Sequence, residues 1–301
     1  MKILLTGGTG FIGRYLKKDL ASYGHELFIL TRQERENTDT TYYIKWSWRD
    51  PTDISYLIDK VDCVINLAGE GIADKRWTKI QKELLRKSRI ETTRLIIEAI
   101  NKSPHKPKKL ISGSAVGIYG DRKDEAITEK SSIGSGFLAN LCREWENEAN
   151  KAETNVVIIR IGVILAKGGG ALDKMALPFK FFIGGPIGSG KQYMPWLTLH
   201  DTTGIIKLAM ENENITGVLN VTSPNSVTNK DFSKTLGKVL HRPSFMLVPA
   251  LALKATLGEM ADMLLTGQKV LPERALEFGY KFRYSDLGEA LRKIFKSRRG
   301  M

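Results

Sequence analysis

The chain has 301 residues, 42% of them hydrophobic, which is enough to bury a large core, and its formal net charge is +13. No apolar run reaches the roughly 18 residues of a membrane-spanning helix, and the basic residues are mixed with acids, locally dense only at 106–109 and 292–299, without the interleaved aromatic residues of a nucleic-acid platform. We therefore expect no membrane or nucleic-acid partner, a small-molecule substrate, and some positive charge that attracts an anionic ligand.

The first 165 residues alternate short apolar segments with helical patterns. Strands are predicted at Lys2–Thr6, Glu26–Thr31, Val61–Leu67, Leu110–Ser114 and Val156–Ile161, and helices at Phe11–Tyr23, Trp77–Lys102 and Phe137–Lys151. This alternation predicts an α/β fold, a doubly wound parallel sheet of the Rossmann type. The chain opens directly into an apolar strand without a signal-peptide pattern, so we expect a cytoplasmic protein.

A loop with four glycines, Thr6–Gly13, separates the first strand from the first helix. Gly7 or Gly8 would permit the tight turn, Gly10 the approach of a pyrophosphate, and Gly13 close packing of the helix on the sheet. The free amides at the start of the helix would then face the phosphates. This position, between a strand and a helix, predicts a dinucleotide site that includes Gly7, Thr9, Gly10, Phe11, Ile12 and Gly13.

The end of the second strand predicts which dinucleotide binds. NAD-specific sites place an acid there, about 20 residues after the loop, to hold the ribose hydroxyls. Here the strand ends in Thr31 and Arg32. A guanidinium suits the 2′-phosphate of NADP(H), and Arg14 could assist, so Thr31 and Arg32 are predicted cofactor contacts.

Beyond residue 165 the character of the sequence changes. Glycine clusters at Gly168–Gly170 and Gly184–Gly190, with three prolines among them, indicate long loops. We expect residues 166–301 to form a smaller substrate-side region, with a return strand near 217–222, a helix over Lys230–Leu240 and a helical region from about 249. Gly185–Lys191 has nearly the spacing of a nucleotide-hydrolysing loop, but Gln192 stands where a Ser or Thr would hold magnesium.

Several further segments are shared with one known family. They are Asn66–Glu70, Ser88–Thr92, Ser112–Ser114, Tyr119–Gly120, Cys142–Glu146, Gly184–Gly190, Pro195–Trp196 and Gly267–Val270. With the loop glycines, they resemble the extended short-chain dehydrogenase/reductases, and within them the "epimerase family protein" branch of NADP-dependent, epimerase-like oxidoreductases. The likeness runs from residue 1 to about 295. It implies that Leu67, Ala68 and Gly69 border the cofactor, and that Glu83, Arg89 and Arg160 face it, with structural ion pairs as the alternative for these three.

The resemblance fails at the catalytic helix. In the superfamily a Tyr and a Lys four residues later share one helix face, and a Ser polarises the substrate oxygen. The helix beginning at Phe137 contains neither Tyr nor Lys. Two pairs elsewhere, Tyr56 with Lys60 and Tyr119 with Lys123, match only by spacing. Ser114 and Tyr119 are left as the candidate catalytic residues.

Two functions are therefore open. One is an NADP(H)-dependent oxidoreductase or epimerase acting on a carbonyl or alcohol. The other is a dinucleotide-binding sensor or assembly factor without turnover, because a fold does not guarantee chemistry. A homo-oligomer is possible. The two cysteines lie apart from any histidine pair, and no metal site is predicted.

Overall fold

The computed structural model describes residues 1–296. Seven parallel strands form the central sheet within this range: β1 (Lys2–Thr6), β2 (Glu26–Thr31), β3 (Thr41–Lys45), β4 (Cys63–Asn66), β5 (Lys109–Ala115), β6 (Asn155–Ile161) and β7 (Gly217–Val221). Residues 297–301, with Arg298 and Arg299 of the predicted basic tail, lie outside the described residues.

The order of the strands across the sheet is β3-β2-β1-β4-β5-β6-β7. The order reverses between β1 and β4, and ligands of doubly wound folds bind in the crevice at such a reversal, beyond the carboxyl ends of the strands. The predicted doubly wound fold is confirmed. Strand β7, at the place where a return strand was predicted, pairs with β6 along its whole length. Strand β3 was not predicted from the sequence.

The helices in the described range are α1 (Phe11–Ser22), α2 (Ser55–Ile58), α3 (Lys79–Lys102), α4 (Phe137–Ala149), α5 (Gly170–Lys180), α6 (Leu199–Glu211), α7 (Asn229–Leu240), α8 (Ala250–Leu257), α9 (Asp262–Leu265), α10 (Glu273–Glu277) and α11 (Leu287–Lys296). Helix α3 begins two residues after its predicted start, because Thr78 is its N-cap and accepts from the amide of Gln81 at 3.1 Å.

Three short strand pairs and three 3₁₀ turns complete the fold. The pairs are Val163–Leu165 with Trp196–Thr198, Tyr193–Met194 with Val227–Thr228, and Ala126–Ile127 with Lys269–Val270. The 3₁₀ turns are Pro51–Ile54, Val116–Tyr119 and Gly258–Ala261. Most of these elements lie after residue 115 and build the side of the molecule beyond the carboxyl edge of the sheet.

The core crosses the predicted boundary at residue 165. Ile205, Ile206 and Ala209 of α6 are fully buried in the same apolar cluster as Ile3 and Leu5 of β1. A separate cluster joins α5, α7 and α11 on the substrate side. The region from 166 onward therefore supplies a strand and a helix to the Rossmann core as well as its own small core.

Candidate cofactor and substrate site

The glycine loop has the backbone geometry that a dinucleotide needs. Gly7 has a φ of +69°, and a Cβ there would lie 2.5 Å from the carbonyl oxygen of Leu67. A Cβ on Gly13 would overlap the carbonyl oxygen of Gly7, so α1 packs directly on the loop. Gly10 is exposed, and the nearest atom to a Cβ there, at 3.1 Å, is again the oxygen of Gly7. Gly7 and Gly13 thus allow the tight packing of the turn, while Gly10 leaves the outer side of the turn open.

The start of α1 is free to bind an anion. Gly10 is its N-cap, with no side-chain cap and no acid in the first turn. The unpaired amides and the positive end of the helix dipole fit the pyrophosphate of a dinucleotide. Thr9 and Ile12 are half-buried at this turn. The ring of Phe11 packs against the glycines at 168–170, where a Cβ on Gly170 would lie 2.8 Å from the ring.

A buried hydrogen-bond chain supports the loop from below. The hydroxyl of Thr6 donates to Oδ1 of Asn66 at 2.7 Å, and Nδ2 of Asn66 donates to Oγ1 of Thr93 at 2.8 Å. The indole of Trp145 also donates to Thr93, at 2.9 Å. This series of hydrogen bonds connects the ends of β1 and β4 to helices α3 and α4. Polar residues in otherwise apolar strands were the sequence signal for it, and it was not predicted.

Arg32 and Arg14 are exposed and form no ion pair or side-chain hydrogen bond within residues 1–296. The acid nearest in sequence, Glu34, is held instead by Lys45 at the end of β3, at 2.9 Å. This hydrogen bond and the ammonium charge lower the pKa of Glu34. Thr31 is buried, and its Oγ1 accepts from the amide of Gln33 at 3.2 Å. The loop after β2 therefore presents cations to a ligand and keeps its carboxylate occupied.

Arg89 lies beneath the loop that follows β4. Its guanidinium donates to the carbonyl oxygens of Leu85 and Glu70, at 3.0 and 2.9 Å, and stacks on Trp145 at 5.3 Å. A Cβ on Gly69 would lie 3.1 Å from Cζ of Arg89. Burial lowers the pKa of Arg89. The arginine supports residues 67–70 from the side opposite the glycine loop, while Leu67 and Ala68 remain half-exposed.

Glu83 does not accompany Arg89. Its carboxylate lies 3.9 Å from Lys87 on the same helix, and both side chains are about half-exposed. Six residues on a helix turn the two side chains roughly 120° apart. Glu83 thus forms a surface ion pair, the alternative that the sequence left open for it, and its contact with the cofactor stays a prediction.

The two candidate catalytic residues and Arg160 meet in one buried cluster. The hydroxyl of Ser114 donates to Oε1 of Glu146 at 2.6 Å. Arg160 donates to both carboxylate oxygens of Glu146, at 2.9 and 2.8 Å, and to the hydroxyl of Tyr119 at 2.9 Å. That hydroxyl donates in turn to Oδ1 of Asn220 at 2.7 Å. Five different elements therefore contribute to one network: β5, the 3₁₀ turn Val116–Tyr119, α4, β6 and β7.

The network leaves neither hydroxyl free for a substrate. Tyr119 is fully buried and Ser114 is 4% exposed. Burial raises the pKa of Tyr119, which makes proton release harder. Burial alone would lower the pKa of Arg160, but the bonds and the charge of Glu146 raise it overall. In this structure the hydroxyl of Tyr119 belongs to the buried cluster, which does not favour the predicted role as a substrate acid. Arg160 is the ion-pair partner of Glu146, the alternative that the sequence left open for it.

A pocket of about 600 Å³ opens beyond the carboxyl end of β5. The turn at Gly117–Arg122, the segment leading into α4 and the chain around 259–268 line it. Trp77 and Phe137 form its aromatic wall, with ring centroids 5.0 Å apart. A second concavity, of about 790 Å³, lies at the opposite edge of the sheet around Lys109. Only the first is on the edge where the dinucleotide loop lies.

The charged side chains that line the pocket are mainly acidic, but one of the acids, Glu259, is paired with Lys82, whose ammonium lies 4.8 Å from the centre of the Phe137 ring. Among the described residues that line it, Arg122 is the one cation, and Asp121, Glu259 and Asp262 are the acids. Both ends of the Arg122 guanidinium are engaged, by Glu125 at 3.0 Å and by Ser132. The pocket therefore offers a diphosphate no free guanidinium.

The glycine-rich loop at Gly184–Gly190 is not a phosphate loop. Strand Tyr193–Met194 follows it, where a nucleotide-hydrolysing loop requires a helix. Gln192 turns inward and donates to the carbonyl oxygens of Ile187 and Leu264, at 3.0 and 2.7 Å. Residues 184–190 are held by these contacts and by Asn229, which accepts from the amide of Ile187 at 2.8 Å.

Known families and proteins match nearly the whole length of the chain. The model of the NAD dependent epimerase/dehydratase family matches residues 3–222, and a domain described as of unknown function matches 248–294. The "Epimerase family protein YfhF" of Bacillus subtilis is 40% identical over 99% of both chains. The human "Epimerase family protein SDR39U1" is 40% identical over 98% of this chain and 99% of its own.

Solved structures give the same result. The crystal structure of human epimerase family protein SDR39U1 (isoform 2) with NADPH superposes with a TM-score of 0.90, at 37% identity, over 99% of this chain and all of the other. A UDP-glucuronic acid 4-epimerase from Bacillus cereus, solved with UDP-glucuronic acid and NAD, has a TM-score of 0.79 over 98% of both chains. At 18% identity, the second likeness concerns the fold alone.

Proposed function

The chain belongs to the NAD dependent epimerase/dehydratase family, and on that premise we propose that it is an NADP(H)-dependent oxidoreductase acting on a carbonyl or alcohol. The observation that carries this proposal is the pocket of about 600 Å³ on the same edge of the sheet as the glycine loop. A protein that only bound a dinucleotide would need no additional cavity of substrate size on the edge of the sheet where the dinucleotide binds.

Three features favour NADP(H) over NAD(H). Arg32 and Arg14 are exposed and unpaired within the described chain, while Glu34 is occupied by Lys45. A guanidinium can hold a 2′-phosphate through two parallel hydrogen bonds. A relative that is 37% identical over nearly the whole chain was solved with NADPH. The open Gly10 and the uncapped α1 would hold the pyrophosphate.

When bound, NADP(H) supplies or accepts the hydride at its nicotinamide ring. Reduction of a carbonyl then needs one proton on the substrate oxygen. Ser114 and Tyr119 are turned into the buried cluster, so we assign this proton to water in the open pocket. The protein itself positions the substrate: Trp77 and Phe137, packed edge to face, provide an apolar wall against which a substrate can be oriented.

Oxidoreduction is favoured over epimerisation of sugar nucleotides. A sugar nucleotide carries a diphosphate, which would be expected to need unpaired cations. Arg122 is engaged by Glu125 and Ser132, Glu259 is paired with Lys82, and Asp121 and Asp262 are the remaining carboxylates of the pocket. The site therefore suits an uncharged or cationic substrate with an apolar face.

The second candidate is a dinucleotide-dependent sensor or assembly factor. The specific observation in its favour is that both superfamily-like hydroxyls are consumed in the cluster around Glu146. The two functions differ in turnover and not in cofactor binding.

The deciding experiment has two stages. Fluorescence titration first measures the affinities for NADPH and NADH. A panel of uncharged aldehydes and ketones, with UDP-sugars as a comparison, is then followed by loss of NADPH absorbance and by product analysis. Substrate-dependent oxidation of NADPH by the uncharged panel supports the oxidoreductase. Tight NADPH binding without turnover on any carbonyl would favour the sensor.

A further inference from the structure

The end of α5, two adjacent loops and helix α8 present large apolar side chains to solvent. Phe181 is 67% exposed, Phe245 77% and Leu251 80%. We call the whole set the apolar platform; its members are Leu177, Phe181, Phe182, Ile183, Phe245, Met246, Leu247 and Leu251, all at least 44% exposed. Isolated exposed apolar residues are ordinary, but eight on two neighbouring segments mark an interaction site.

The two loops of the apolar platform lie side by side. The amide of Met246 donates to the carbonyl oxygen of Gly184 at 3.2 Å, and that of Val248 to Pro186 at 3.0 Å. A Cβ on Gly185 would overlap the carbonyl oxygen of Met246. Helix α8, whose sequence is ALALKATL, follows directly and buries none of its residues. The platform is therefore one surface, and α8 continues it.

The backbone of the apolar platform is strained where its aromatic residues are displayed. Phe182 has a φ of +64°, a conformation that is unfavourable for a bulky side chain. Its ring lies under the guanidinium of Arg242, at 4.6 Å. Strain of this kind persists where the surrounding structure enforces it, often at functional segments. Here it turns three consecutive large residues, 181–183, toward solvent.

Unpaired positive charge accompanies the apolar platform. Residues 170–191 and 229–257 contain eight Lys or Arg residues and two Asp residues. Both acids are used at helix starts: Asp173 accepts from the amide of Gly169, and Asp231 from the hydroxyl of Thr228. Of the eight cations, only Lys174 has an ion pair among the described residues, with Asp74. The others, exposed and unpaired, are Lys180, Lys191, Lys230, Lys234, Lys238, Arg242 and Lys254.

We infer that the apolar platform docks on the surface of an anionic lipid bilayer. Its side chains would enter the boundary between headgroups and acyl chains, and the cations on the same two segments would contact lipid phosphates. Charge decides among the possible occupants. A second copy of this chain facing the platform would bring its own unpaired cations, among them Lys180, Arg242 and Lys254, against the same residues. An anionic membrane offers both the apolar layer and the opposite charge.

This inference concerns the surface of a bilayer and not a span across it. Within residues 1–296, no helix is both long enough and apolar enough to cross a membrane. The sequence predicted no membrane partner because it has no long apolar run. That reasoning applies to a continuous segment, whereas the platform joins residues about sixty positions apart.

The test is co-sedimentation of the full chain with vesicles of phosphatidylcholine alone or mixed with phosphatidylglycerol. We expect binding to the anionic vesicles, little to the neutral ones, and loss of binding at high salt. Phe181→Ser with Phe245→Ser should abolish it. Lys180→Gln with Lys254→Gln should weaken it by roughly twenty- to thirtyfold, since each cation near such a surface contributes about fivefold.

Matched control variants lie outside the platform. Ile80→Ser removes an apolar side chain that is 76% exposed on α3, and Lys18→Gln with Lys130→Gln removes two exposed, unpaired cations. Both controls should bind like the wild type. Unchanged NADPH affinity and unfolding temperature would establish that every variant is folded.

Three outcomes would overturn the inference. One is failure of the wild type to sediment with anionic vesicles, and another is equal binding to neutral ones. The third is a wild-type dimer in light scattering that Phe181→Ser with Phe245→Ser dissociates, which would show that a second copy covers the platform.

Discussion

Arg160 donates a hydrogen bond from Nη1 to the hydroxyl of Tyr119 across 2.9 Å in the buried interior. The tyrosine hydroxyl donates its own hydrogen bond to Oδ1 of Asn220, at 2.7 Å. A phenol that accepts from a cation and donates to an amide in this way is held as part of the structure. Its proton is not available to a molecule in the pocket.

The first prediction follows from this arrangement. Tyr119→Phe should leave the NADPH affinity and the rate of NADPH oxidation within about twofold, because the hydroxyl is bonded to Arg160 and Asn220 in the buried cluster. The free energy of unfolding should fall by about 1–3 kcal/mol, the cost of leaving buried partners unsatisfied. Denaturant unfolding and steady-state kinetics measure the two effects. A loss of rate of about 100-fold with unchanged stability would restore Tyr119 as a general acid.

The second prediction concerns Glu146, which joins Ser114 and Arg160. Glu146→Gln leaves the buried guanidinium without its counter-charge, and we expect a loss of about 3–5 kcal/mol in the free energy of unfolding. Glu144, two residues earlier, pairs with Arg86 at 2.6 Å where both side chains are more than 40% exposed. Glu144→Gln should cost less than about 1 kcal/mol, since exposed ion pairs contribute little. Similar losses in both variants would contradict the structural role of the cluster.

The third prediction is the choice of cofactor. A hydrogen bond to a charged group is worth about 1.5–3 kcal/mol, so Arg32 should give NADPH a preference of about tenfold to a hundredfold over NADH. Arg32→Ala should remove that preference without harming NADH binding, and Arg32→Glu should reverse it. Titration of both cofactors against the three proteins at fixed salt measures this. A preference that survives Arg32→Ala unchanged would refute the assignment.

The fourth prediction tests the ion pair beside that site. Lys45→Gln frees the carboxylate of Glu34, which then repels the 2′-phosphate, so NADPH affinity should fall by about two- to fivefold and NADH affinity should not. Glu34→Gln in the same protein should restore NADPH binding, because the charge that repels is removed. If the double variant stays weak, Lys45 acts on the cofactor directly and not through Glu34.

Some of the site could be predicted because it is contiguous in the chain. The glycine loop, the strand before it and the helix after it are neighbours in sequence, and their geometry depends on which residues lack a Cβ. The same holds for Arg32, which follows the last residue of β2 directly. The parallel sheet also follows from local pattern, since buried strands appear as short apolar runs. Strand β3 was missed because its residues, TYYIK, are half-buried and carry no apolar run.

Other features depend on contacts between distant residues. Ser114, Glu146, Arg160 and Asn220 come from β5, α4, β6 and β7, and only the parallel alignment of these strands brings them together. From the sequence, Ser114 and Tyr119 were the candidates left once the helix beginning at Phe137 was found to lack Tyr and Lys. Their hydrogen bonds to Glu146, Arg160 and Asn220 favour a structural role. Local pattern determined the glycine loop, the proposed cofactor site, because backbone conformation is a property of adjacent residues. Which polar groups face the substrate, and which apolar residues share the platform, was decided by the tertiary structure, because burial and hydrogen-bond partners are set by whatever packs alongside.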